Sequence, residues 1–81
     1  MRLYVSNLPS DVTDSELKTI FEPFGVVTGA AAWGISTQHN RVGLVVMAVK
    51  PQGAEIAAGA LDRTLLRGVE MRVNVITPWE I

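Results

Sequence analysis

Tyr4 is the lone aromatic in the run Leu3-Tyr4-Val5-Ser6-Asn7-Leu8, which Pro9 closes. If that run is a strand, alternation sets Tyr4 on the side opposite Leu3 and Val5 and leaves its ring at a surface. Trp33 and Trp79 are the other large flat rings that could stack on a ligand. Arg72 and Asn74 alternate with Met71, Val73 and Val75, so a guanidinium and an amide share one side of a later strand, suited to a phosphate or to a polar edge. Arg2 and Arg41 fall on two more predicted strands. Catalytic chemistry has little to work with. There is no cysteine, which excludes disulfides and thiolate metal sites. The single histidine, His39, lies in the polar stretch Ser36-Thr37-Gln38-His39-Asn40, where imidazoles are usually solvated. The carboxylates sit mostly on predicted helix surfaces. We therefore expect no enzyme, no metal and no cofactor.

Eighty-one residues make one small domain spanning 1–81. A hydrophobic content of 48% fits a folded chain, though one this small buries only about 60% of its unfolded surface. The net charge of −1 argues mildly against a polyanionic partner, but distribution matters more than the sum. Asp11, Asp14, Glu16 and Glu22 cluster around the first predicted helix against Lys18 alone. If the strands carrying Arg2, Arg41 and Arg72 share a sheet, one face is basic and the helical side acidic. No basic segment precedes an apolar run, and the uncharged stretch Phe24–Asn40 is too short and too broken for a membrane span. The expectation is a cytoplasmic protein, with Met1 directly before the first strand pointing to a free-standing one.

These side chains need elements to hold them. Arg2 to Asn7 reads as a strand by alternation. Thr13-Asp14-Ser15-Glu16 reads as a reciprocal capping box opening a helix, with Leu17, Ile20, Phe21 and Phe24 as its apolar stripe. Pro23 and Gly25 end it. Val26 to Trp33 is a second strand, Gly34 to Asn40 a loop, and Arg41 to Val49 an apolar central strand. Pro51 suits the first turn of a helix, whose packing stripe is Ala54, Ala57, Ala58 and Leu61. Leu65 to Gly68 is a connector, and Glu70 to Ile76 alternates again. The order βαββαβ predicts an α+β, ferredoxin-like sandwich: a four-stranded antiparallel sheet in order 4-1-3-2, with two helices on one face and the other face open. The expected core is Leu3, Val5, Leu17, Phe21, Val27, Val45, Ala57, Leu61, Met71 and Val73.

Five pieces of the chain, in order and at the right spacing, resemble the RNA-recognition motif family. The hexamer Leu3–Leu8 resembles its first-strand motif. Thr13–Leu17 and Phe21-Glu22-Pro23-Phe24-Gly25 resemble its first helix and terminating glycine. Ala60-Leu61-Asp62, then Leu66, Gly68, Met71 and Val73, resemble the passage from second helix to last strand. The resemblance implies single-stranded RNA bound on the open sheet, with Tyr4 stacked on a base and Arg2, Arg41, Arg72 and Asn74 near backbone or base edges.

The third-strand octamer departs from the family pattern. Asn40-Arg41-Val42-Gly43-Leu44-Val45-Val46-Met47 keeps one glycine but has Val42 and Leu44 where the resemblance implies stacking aromatics. A register shift of two would put Leu44 and Val46 there instead. Two missing platforms remove on the order of 2–6 kcal/mol, so binding should be weak or non-standard. Trp33 is a candidate replacement on the second strand, and Trp79 in a tail laid over the sheet. The same substitutions support an alternative: a protein-interaction or homodimerisation module using Ala31, Val42, Leu44 and Val46 as an apolar face. A protein-binding subclass of the family uses Arg-x-Phe after the second helix. Arg63-Thr64-Leu65-Leu66 has no phenylalanine, which argues against that mode.

Overall fold

The computed structural model describes residues 1–34 and 40–76. In chain order the elements are β1 (Arg2–Leu8), α1 (Asp14–Phe21), a 3-10 turn (Glu22–Phe24), β2 (Val27–Gly34), β3 (Arg41–Met47), α2 (Pro51–Leu61), β4 (Leu65–Leu66), β5 (Val69–Glu70) and β6 (Arg72–Ile76). The four long strands form one sheet in the order β2-β3-β1-β6, antiparallel at each pairing. With β6 as the fourth strand of the sheet, this is the expected 4-1-3-2.

Both helices cover one face. Leu17 and Phe21 of α1 and Ala54, Ala57 and Ala58 of α2 share a single core with Leu3, Val5, Val45, Met47 and Val73. Burying side chains of the size of Leu3, Leu17 or Phe21 stabilises the fold by about 1.5–3 kcal/mol each. Nine of the ten expected core positions are buried; Leu61 only packs against the rim. Gly43 on β3 lets α1 settle close, since a Cβ there would stand 2.5 Å from Leu17 Cδ2 and 3.1 Å from the Ala31 carbonyl oxygen.

Several local expectations need correction. Only half of the capping box forms: Thr13 Oγ1 accepts from the Glu16 N–H at 3.1 Å, but the Glu16 carboxylate turns to Arg67 instead. The Leu65–Gly68 connector is a hairpin, β4 paired with β5. Its two turn residues, Arg67 (φ 50) and Gly68 (φ 82), both have positive φ, the signature of a type I′ turn matched to strand twist. The sheet's fourth strand consequently starts at Arg72 rather than Glu70, and β3 stops at Met47 rather than Val49. Each of two strands carries an irregularity, between Val5 and Leu8 in β1 and between Val27 and Gly29 in β2. The first turns Leu8 into the core beside Leu3 and Val5 against simple alternation.

Candidate nucleic-acid interface

The face away from the helices is a grid fixed by strand register. Tyr4 on β1 pairs with Leu44 of β3 on one side and Asn74 of β6 on the other, and Leu44 pairs onward with Ala31 of β2. One step along, Arg2 lies between Val46 and Ile76. One step the other way, Ser6 pairs with Arg72 and Val42 with Trp33. Tyr4 belongs to this face because its neighbours Leu3 and Val5 are fully buried on the other. The β2 register runs unbroken from Gly29 to Gly34, so Trp33 shares the face with Ala31.

Accessibility divides these residues. Arg2, Ala31, Arg72 and Asn74 are exposed, and Tyr4, Leu44 and Val46 are partly so. Trp33 is 42% exposed, the only large hydrophobic residue of this face, among the described residues, that exceeds partial burial. Val42 was expected to offer a stacking surface. It lies on the open side by register yet is only 3% exposed, so it supports the face without presenting one, and the apolar patch is smaller than its composition implied.

Arg41 requires a second correction. It alternates with Val42 and therefore falls on the helix side with Gly43 and Val45. Its Nη2 donates to the Ala32 carbonyl at 2.8 Å, while Asp14 Oδ1 accepts from the Ala32 N–H at 2.7 Å. Arg41 thus lines a groove with Asp11, Thr13, Asp14 and Ser15 at the start of α1. The expected basic face of three arginines does not form; Arg2 and Arg72 remain on the open side.

Arg72 is tethered at the sheet edge. Its Nε donates to Asp62 Oδ1 at 3.0 Å, and the same oxygen accepts from the Val73 N–H at 2.9 Å. The Val73 N–H, and after it the Arg72 guanidinium, hold the Asp62 carboxyl below the usual carboxylate range. Near the end of β1, Asn7 (φ 58) joins three segments. Its Nδ2 donates to the Glu70 carbonyl and its Oδ1 accepts from Asn40 Nδ2, each at 2.5 Å. Arg67 fastens the β4–β5 hairpin to the start of α1 by donating to Asp11 Oδ1 at 2.8 Å and to Glu16. That guanidinium holds the Glu16 carboxyl below its ordinary value, and the Glu16 and Asp11 carboxylates raise the pKa of Arg67 in return. Sequence reading missed the Asn7 and Arg67 links because each spans more than 30 residues; asparagine's tolerance of the left-handed region was the one available signal.

Among the described residues no group of three or more histidine, cysteine or acidic side chains could hold a metal, and no helix is long and apolar enough to cross a membrane. His39 and Trp79 lie outside the described residues.

The model of the RNA recognition motif family matches residues 3–72. The sex determination protein fox-1 of Caenorhabditis elegans is 38% identical over 76 residues, covering 94% of this chain and 18% of that protein. The protein no-on-transient A of Drosophila melanogaster is 35% identical over 73 residues, covering 90% of this chain and 10% of that protein. Among solved structures, the Sxl-lethal protein/RNA complex superposes with a TM-score of 0.75 at 28% identity, over 93% of this chain and 47% of that one. The chain therefore spans no more than about a fifth of the length of these two relatives.

Proposed function

The chain belongs to the RNA recognition motif family, and from that premise we propose that it binds single-stranded RNA on its open sheet face, weakly and without the usual set of third-strand rings. The observation that carries this reading is Tyr4: a partly exposed ring on one of the two inner strands, flanked by Leu44 and Asn74, with Arg2 two residues away on the same face. One base stacks on Tyr4. Leu44 gives a neighbouring base an aliphatic contact in place of a stack. Asn74 and Arg72 lie toward the β6 edge, where a base edge or the backbone would pass, and Arg2 neutralises a phosphate. Arg41 and Val42 have no direct part, one being on the helix side and the other buried. Titration of the labelled protein with a mixed pool of short single-stranded RNAs tests the reading. Tyr4, Leu44 and Arg72 resonances should move, with a dissociation constant that is micromolar or poorer, as an order of magnitude. The expected cytoplasmic setting remains part of the proposal.

A second reading keeps the same face and changes the partner to protein, either another copy of the chain or a peptide. It is favoured by the aliphatic line Ala31, Leu44 and Val46 across β2 and β3. Three such side chains contribute about 1.5–3 kcal/mol each when fully buried, against an association cost of about 4–15 kcal/mol, so they need further contacts to hold a dimer.

A further inference from the structure

We infer, resting on the RNA-binding reading, that Tyr4 and Trp33 form a two-ring site that grips nucleotides which are not neighbours, one nucleotide lying between them over an aliphatic floor. The register fixes the spacing. From Tyr4 the face crosses to Leu44 on β3 and Ala31 on β2; Trp33 lies one same-side position further along β2. Two strand spacings of about 4.8 Å and a two-residue rise of about 6.6 Å put the two Cα atoms roughly 12 Å apart. Stacked bases in a strand are separated by about 3.4 Å. With both rings standing above their Cα positions, that spacing exceeds the separation of adjacent bases even at about twice the stacked value and matches bases on either side of a third nucleotide.

The residues between the rings suit this division. Leu44 and Ala31 offer the middle base aliphatic contact and no aromatic platform, while Val42 is buried beside Trp33. Trp33 itself is 42% exposed on the outer strand of the sheet, the position from which it extends the Tyr4 surface away from the β6 edge. The footprint is thereby displaced toward β2. The strand is read as ring, gap, ring, and selection at the middle nucleotide is weaker than at its neighbours.

Trinucleotides separate the possibilities. The full chain is titrated with tri-uridine and tri-adenosine RNA, intact, abasic at the centre, or abasic at one end, and followed by the Tyr4 ring and Trp33 indole resonances. Both should shift together. The central abasic site should cost less than about threefold in affinity, and a terminal one about 5- to 150-fold, the range for one lost stack. Trp33→Ala should lose a similar factor on intact RNA with unchanged circular dichroism, and Trp33→Phe should retain most of the affinity. Equal costs at centre and ends, or shifts at Tyr4 with none at Trp33, overturn the two-ring site and leave the RNA reading standing. Absence of shifts at both rings with every RNA overturns the two together.

Discussion

Tyr4 holds its place by parity: Leu3 and Val5 are fully buried, so the ring between them must face away from the helices. Replacing it with alanine removes a platform and disturbs none of the core, so Tyr4→Ala should weaken RNA binding by about 1–3 kcal/mol with unchanged thermal unfolding. The same parity made Trp33 and Leu44 legible from sequence. It also assigns Arg41 to the helix side, in step with Gly43 and Val45, where charge alone points to a shared basic face. Arg63 shows the converse. It directly follows Asp62 at the end of α2 and adopts φ 66. A side chain in the left-handed region costs roughly 1–2 kcal/mol, which glycine avoids while giving back part through chain entropy. Arg63→Gly should therefore raise the urea midpoint, by the equivalent of up to about 1 kcal/mol.

Elements fit together here through close approach and edge ties. Gly43 stands where α1 crosses β3, and a methyl group there would meet Leu17 Cδ2 at 2.5 Å. Gly43→Ala should destabilise the domain by about 1–3 kcal/mol in denaturant unfolding, by overpacking. The β4–β5 hairpin carries only a weak sequence signal, because its turn is Arg-Gly rather than Asn-Gly. What holds Arg67 there is contact with Asp11 and Glu16, more than 50 residues away, and no local pattern announces that. These ties predict an acid response. Glu16 and Asp62 both sit below their ordinary values of 4.5 and 3.8. Their stabilisation is present above the unfolded-chain values and is lost as pH falls through the lower folded ones. Melting temperature should decline on acidification below about pH 4.5, and Glu16→Gln should flatten part of the decline. Since these carboxylates are partly open to water, added salt should shrink the effect.

At the level of the whole molecule, the strand order of the sheet and most of the core followed from the βαββαβ element order, alternation and the two helical stripes, whereas Leu8, Val12 and Met47, also fully buried, were not among the expected positions. The irregularity in β1 was not legible, because a one-residue insertion changes facing without changing composition, whereas that in β2 carries a signal in Gly29 within the strand. The open face carries two arginines, one central ring and one outlying ring on a chain of net charge −1. Few phosphates are neutralised, so the salt dependence of RNA binding should be shallow, with a log–log slope of about −2 or less in magnitude. Leu44→Asp discriminates between partners for the same face. In sedimentation it should leave the distribution unchanged if the face serves RNA, and shift dimer to monomer if it serves a second copy. The most direct measurement is chemical-shift mapping of the full chain against short single-stranded RNAs at low salt, with Tyr4→Ala as the paired control. Shifts should be confined to the open face around Tyr4, Leu44 and Arg72, and most of them should be lost in the variant. Shifts confined to the helix side, or no binding at high protein concentration, would contradict RNA binding on this face.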